Sequence, residues 1–265
     1  MKLLTNLIKM NIKVYIQDKW GYLFTLFIQP ILMIINYLLY SSIYEYNNTS
    51  EIKGYELNQM IWYFTAVNFI FVFIWNTTHT RIAERVLSGD MSIDLLRPVS
   101  LFKFEIADAI ADRIVGILCE FIPAIFLYSL IVFPKFLTLK SMIMFLIVVM
   151  FAFILYFNIS YIIGMFAFLI KNNNTIIVVK EALITLLGGV YFPLEFLPDR
   201  LNAFLDLLPF KYVFYWPIQF FLNNNVNEML MLRIIVKQLI WSLILYVLSK
   251  FITRIMIKKY CAVGG

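Results

Sequence analysis

The sequence predicts an all-α polytopic membrane protein, and three observations predict it. The residues are 62% hydrophobic and only 14% charged, with a mean hydropathy of +0.84, whereas soluble domains average about 45–50% apolar. Uncharged runs cover Trp20–Tyr44, Leu57–Thr80 and Ser141–Ile170, at 25, 24 and 30 residues, and about 20 apolar residues suffice for a spanning helix. No stretch alternates apolar and polar residues over about 10 positions, as a barrel strand would. Backbone groups in lipid must then be satisfied within helices.

At the start of the chain, Lys2, Asn6, Lys9, Lys13 and Gln17 mark a polar face on residues 1–19, and Leu4, Leu7, Ile8, Ile12, Tyr15 and Ile16 fill the other face. This predicts an amphipathic helix lying in the membrane interface; the alternative is a positive flank that orients the first span. No small-residue cleavage site comes after an apolar core, so no cleaved leader is expected. Trp20–Tyr44 is the first span. A loop of 12 residues, Glu45–Glu56, leads to the second, Leu57–Thr80. Ser141–Ile170 is the fourth. Ile114–Pro134, Ile176–Phe192 and Ile234–Thr253 are apolar stretches flanked or broken by single charges, and they complete six transmembrane helices. Residues 1–265 form one transmembrane domain.

Orientation comes from Lys and Arg. With both termini cytoplasmic, the inner segments hold Lys2, Lys9, Lys13, Lys19, Arg81, Arg85, Arg97, Lys103, Arg113, Lys171, Lys180, Lys250, Arg254, Lys258 and Lys259. These are 15 of the 22 basic residues, and positive charge concentrates on the cytoplasmic side. The bias also accounts for the net charge of +6. A basic patch on a soluble face is missing, so nucleic acid is not an expected partner.

The sequence carries no recognisable catalytic or metal-binding motif. Cys119 lies in a span and Cys261 near the cytoplasmic end, too far apart in depth for a disulfide. His79 stands alone, and no Cys/His cluster has metal-ligand spacing. The sequence has no G-x-x-x-x-G-K loop to cradle phosphates. It also lacks G-x-S-x-G and H-E-x-x-H. No cofactor is expected, and any ATP must be bound by a partner subunit.

Two polar or broken segments carry the functional expectation. RIAERVLSGDMSIDLLRPVS, residues 81–100, is dense in charge for this chain. Arg81–Leu87 should continue the second helix out of the membrane, and Ser88-Gly89 should break it. Asp90 is placed as an N-cap, Met91–Leu96 as a short helix, and Pro98 as its end. Met91, Ile93, Leu95 and Leu96 are then available to dock, with Asp90, Asp94 and Arg97 at the rim. Exposed apolar residues in so short a piece point to a partner; the alternative is a solvated turn. The second segment is GGVYFPLEFLPDRLNAFLDLLPFKYVFYWPIQFFLNNN, residues 188–225. Gly188-Gly189 weakens a helix, and Pro193, Pro198, Pro209 and Pro217 divide the remainder of the segment into pieces too short to span. An outer re-entrant segment fits, since irregular backbone at membrane depth must be buried in protein or line a cavity. Tyr191, Phe192, Phe196, Tyr212, Tyr215 and Trp216 suit a headgroup belt. An outer gate and an aromatic anchor are both open readings. Glu120, deep in the third span, is a candidate for the path or for a pair with a basic neighbour.

GDMSIDLLRPVS, GGVYFPLEFLP with LLPFKYVFYWPIQFFL, and the terminal KKYCAVGG resemble the permease subunits of type-2 ABC exporters. The likeness is to the bacterial branch with short, paired permeases, and it extends over essentially the whole chain. It implies a six-helix permease of the bacterial plasma membrane with both termini inside. It implies a cytoplasmic coupling helix that enters a groove on an ABC ATPase, here Asp90, Met91, Ile93, Asp94, Leu95, Leu96, Arg97 and Pro98. It implies an outer gate, here Gly188, Gly189, Tyr191, Phe192, Pro193, Pro198, Pro209 and Phe210. Two ATPase subunits and a second permease, a homologue or a copy, would complete the exporter in membrane lipid. The resemblance leaves the substrate open among lipids, glycans, drugs, peptides and ions. A non-transporting membrane partner of an ABC ATPase is the alternative function. A membrane enzyme would need a polar catalytic cluster at one interface, which the sequence lacks.

Overall fold

A computed structural model describes residues 2–17, 19–170, 174–223 and 226–259. Lys171, Cys261 and most of the terminal KKYCAVGG motif lie outside the described residues. Five stretches are long and apolar enough to cross a membrane: Leu26–Tyr46, Leu57–Ile74, Leu101–Ile131, Leu139–Phe168 and Glu228–Lys258. They belong to helices α2 (Lys19–Tyr46), α3 (Leu57–Ile74), α6 and α7 (Leu101–Gly116 and Ile122–Ile131), α8 (Leu139–Met165) and α12 (Glu228–Lys259). Between them lie α1 (Lys2–Gln17), α4 (Thr78–Ser88), α5 (Met91–Leu95), α9 (Asn174–Leu187), α10 (Asp199–Leu205) and α11 (Tyr215–Phe221). A two-residue hairpin, Glu51–Ile52 with Tyr55–Glu56, closes the loop between α2 and α3. Its turn residues Lys53 and Gly54 both have positive φ, the geometry of a tight hairpin turn.

The expected fifth span, Ile176–Phe192, takes a different form. Helix α9 has 14 residues, about 21 Å at 1.5 Å per residue, short of a hydrocarbon core of about 30 Å. It stops at Gly188-Gly189, and short helical pieces follow it up to Phe221. The helix of the third span starts earlier than Ile114, at Leu101, and carries Asp108, Asp112 and Arg113 in paired form. It carries a π-helical turn at Ile117–Phe121.

The second span is broken rather than continuous. Residues Trp75–Thr77 separate α3 from α4, where Leu57–Thr80 with Arg81–Leu87 was expected as one helix. The break frees carbonyl groups, and side chains satisfy them. Arg113 donates to the Val72 carbonyl at 2.8 Å, and the Asn76 amide donates to Ile74 at 3.1 Å. Unpaired backbone groups at this depth would cost several kcal/mol each.

Helix α8 forms the centre of the core, packed against α3, α4, α11 and α12. The filling is aromatic. Phe69 meets Phe121, Tyr128 and Phe221, while Phe73 meets Phe121 and Phe145. By contrast only 12% of the apolar window of α2 and 17% of that of α12 is buried. Those two helices offer apolar flanks to lipid or to another subunit. One end of the bundle, the basic end, gathers α1, the loop 89–100 and the last turns of α12. The hairpin 51–56 and the loop before α8 mark the opposite, hairpin end.

Candidate functional site

The loop at the basic end is held by a cluster of ion pairs. Arg81 and Arg85, one turn apart on α4, face Glu105 and Asp108, one turn apart on α6. Arg81 pairs with Glu105 at 3.1 Å and with Asp108. Arg85 pairs with Glu105 and reaches Asp94 on α5 at 2.6 Å. Arg97 closes on Asp94 at 3.1 Å, and both Arg85 and Arg97 lie over the Phe104 ring. Glu105 is fully buried. Helix α1 joins the cluster through Asn11 and Tyr15, which donate to Asp108 at 2.9 and 2.8 Å. Burial first, and then the Asp108 carboxylate, hold the Tyr15 hydroxyl above its ordinary range, so it stays a donor at neutral pH.

This geometry revises the roles expected on the loop. Gly89 ends α4 with φ 85°, a left-handed position that suits glycine. Asp90 holds the N-cap position as expected but makes no side-chain capping bond: its backbone is helical, and its carboxylate accepts from the Ser88 hydroxyl at 2.7 Å. Met91 is completely buried, and Leu95 packs on the core, so neither is free to dock. Asp94 is committed to Arg85 and Arg97 rather than offered at a rim. Pro98 lies three residues beyond the end of α5 and is exposed. What remains presented is Ile93, 60% exposed, and Leu96, 85% exposed. The ion pairs thus fix a short helix whose outward face is this apolar pair.

The segment 188–223 folds back into the bundle from the hairpin end. Gly189 has φ 82°, and a side chain there would meet Leu194 and the Tyr63 hydroxyl at 3.0 Å. A side chain at Gly188 would strike the Ile184 and Phe210 carbonyl oxygens. The Tyr63 hydroxyl donates to the Gly189 carbonyl, so α3 holds the turn in place. The prolines start helices rather than merely interrupt them. Pro193 precedes a 3-10 turn at Leu194–Phe196, Pro198 precedes α10, and Pro209 precedes a turn at Phe210–Tyr212. A fixed φ and a missing N–H suit the first positions of a helix.

The segment reaches deep. Phe214 stacks edgewise on Phe71 at 4.7 Å, near the far end of α3. The Gln238 amide on α12 donates to both Tyr212 and Val148 carbonyls, at 2.9 and 3.1 Å. Gln219 donates to the Tyr55 hydroxyl of the hairpin at 2.6 Å. Lys211 is buried, paired with Asp206 at 2.9 Å and flanked by the Tyr215 and Trp216 rings. The expected aromatic belt is therefore smaller. Tyr191 and Phe196 are exposed, Phe192 and Trp216 are half-buried, and Tyr212 and Tyr215 belong to the interior.

Glu120 sits on the π-helical turn, partly exposed. Two further polar groups are buried: Lys180, which the sequence shows beside Glu181 at the start of the fifth span, and Glu105, which sequence reasoning missed. Lys180 on α9 is buried, paired with Glu181 at 2.6 Å and set over the Tyr156 ring of α8 at 4.7 Å; the Tyr156 hydroxyl donates to Glu181 at 2.9 Å. The signal for Glu105 was present as two arginines spaced i, i+4 opposite two acids spaced i, i+3, which share one helix face.

The family model described as ABC-2 family transporter protein matches residues 30–264, nearly the whole chain. A search of curated proteins finds no match.

Proposed function

We propose, because the chain belongs to the ABC-2 transporter family and is therefore an ABC transporter permease, that it is the membrane subunit of an ATP-driven exporter. It has no phosphate-binding loop of its own, so a separate ABC ATPase supplies the energy. In this reading the basic end is cytoplasmic, the chain lies in a bacterial plasma membrane, and two permeases, copies or homologues, share two ATPase subunits. The weakly buried α2 and α12 supply flanks for the second permease.

The observation that carries the reading is the pair Ile93 and Leu96, exposed on a helix that ion pairs hold rigid. An unsupported loop would lose ordering entropy on docking; this one is already ordered. A push on α5 passes through Asp94 and Arg85 to Glu105 on α6, and through Arg81 and Asp108 to α1. The re-entrant segment 188–223 closes the path at the opposite, outer end, and it rests on α9, whose buried Lys180 is tied to α8. ATP-driven movement of α8 against α9 would reach the Gly188-Gly189 turn directly.

Two measurements test this reading. Affinity-tagged permease solubilised from its native membrane should bring down a nucleotide-hydrolysing ABC ATPase; purification without one contradicts the proposal. In a background with Cys119 and Cys261 replaced by serine, Ser50→Cys should react with an impermeant thiol reagent on intact cells. Ser100→Cys should react only after lysis. The reverse labelling would invert the orientation.

A further inference from the structure

A cleft of about 680 Å³ lies between the loop 94–103 and α12 from Tyr246 to Ile257, a size typical of ligand sites. Asp94, Leu95 and Arg97 of the coupling loop form one edge of it. Four basic residues line it: Arg97, Lys103, Lys250 and Arg254. The only carboxylate among its lining residues, Asp94, is already taken by Arg85 and Arg97. Lys250 rests over the Tyr246 ring at 4.6 Å. Lys103, Lys250 and Arg254 form no salt bridge with any described residue. Helix α6 starts in the same cleft at Leu101, with no capping side chain and no acidic residue in its first turn. Its free N–H groups and dipole add to the attraction for an anion.

The cleft is not purely polar. Leu95, Phe102, Tyr161 and Ile257 also line it. On α12 beside it, Val247 and Phe251 are 59% and 61% exposed, on a helix that is uncharged from Gln238 to Ser249 and carries Lys250, Arg254 and Lys258 beyond. A ligand with one anionic phosphate group and an apolar tail matches both parts. We propose that this cleft binds the headgroup of an anionic phospholipid, with the acyl chains running along the Val247–Phe251 face of α12. Basic clusters where spans leave the hydrocarbon attract anionic headgroups. A lipid seated there adds a tie between the loop carrying Ile93 and Leu96 and α12, beside the contact of the Phe102 and Tyr246 rings. The inference needs the chain in a membrane but not an ATPase partner, so its test stands apart from that of the coupling reading.

The experiment uses the purified full-length permease in a neutral detergent, with thermal unfolding followed as lipid is added. Phosphatidylglycerol should raise the melting temperature saturably, and phosphatidylcholine should not. Lys103→Gln with Arg254→Gln should weaken phosphatidylglycerol binding roughly thirtyfold, about fivefold for each charge. Lys53→Gln with Lys135→Gln, at the hairpin end, should leave it unchanged. The single variants Lys103→Gln and Arg254→Gln carry the same test should the double variant not fold. Wild-type affinity in the cleft variants, or equal stabilisation by phosphatidylcholine, overturns the proposal. Inorganic phosphate reproducing the shift would assign the cleft to a soluble anion and overturn it equally.

Discussion

Glu105→Ala should destabilise the folded chain by about 3–5 kcal/mol, the usual cost of leaving buried charge without its partner. Glu105 is fully buried and accepts from two arginines, Arg81 at 3.1 Å and Arg85. Its loss leaves Arg85 with Asp94 and Arg81 with Asp108 as the remaining acidic partner among the described residues. Each of those acids also holds another element, Asp94 through Arg97 and Asp108 through Asn11 and Tyr15. The damage therefore spreads from α6 to α5 and α1. Glu105→Gln keeps an acceptor oxygen and should cost less than Glu105→Ala. Thermal unfolding of the purified variants in one detergent reads the difference. A Glu105→Ala protein that melts with the wild type would mean that the cluster does not hold the loop.

Gly188→Leu combined with Gly189→Leu should abolish transport while leaving the basic end intact. At Gly188 a side chain runs into the backbone oxygens of Ile184 and Phe210, and at Gly189 the φ of 82° is strained for any other residue. Left-handed backbone at a non-glycine residue costs roughly 1–2 kcal/mol, and the steric overlap at Gly188 forces a backbone shift besides. Relief requires α9 to lengthen or the re-entrant segment to withdraw, which breaks the Tyr63 bond to Gly189 and the contact of Phe214 with Phe71. The ion-pair cluster lies at the other end of the bundle and should be untouched. ATPase recovery and transport, measured in one preparation, separate the two effects. Normal transport in the double variant would show that the segment is an anchor and not a gate.

Much of the architecture was legible because lipid leaves the chain few choices. Uncharged runs of 24 to 30 residues located α2, α3 and α8, and helix is the only backbone form such runs support in a bilayer. Charge gave the end of the apolar stretch but not the start of the helix. The helix runs back through Asp108, Asp112 and Arg113 to Leu101. Asp108 is held by Asn11 and Tyr15 of α1, and tertiary pairing of that kind leaves no periodic trace in a single sequence. The break at Trp75–Thr77 was hidden for a related reason: no Pro or Gly marks it, and the Val72 carbonyl is satisfied by Arg113, 41 residues away. On the loop, composition identified a helix with apolar residues but not which of them faced out. Five residues make little more than one turn, and the division of Met91 and Leu95 from Ile93 and Leu96 was set by packing against the core. The glycine pair and the prolines were the clearest local signals, since φ near 82° and fixed proline φ values are chemical requirements rather than packing outcomes.

The most direct test of the coupling account concerns Ile93 and Leu96. Both are exposed and neither takes part in the ion pairs, so Ile93→Asp with Leu96→Asp should leave the permease folded, with wild-type yield and melting temperature. Burying each of these side chains against a partner contributes about 1.5–3 kcal/mol, so ATPase affinity should fall by roughly a hundredfold or more. Affinity purification of the tagged permease from its native membrane should then recover the ATPase with the wild type and lose it with the double variant. Recovery of the ATPase at wild-type yield with both aspartates in place would contradict the claim that this loop is where the motor engages the membrane subunit.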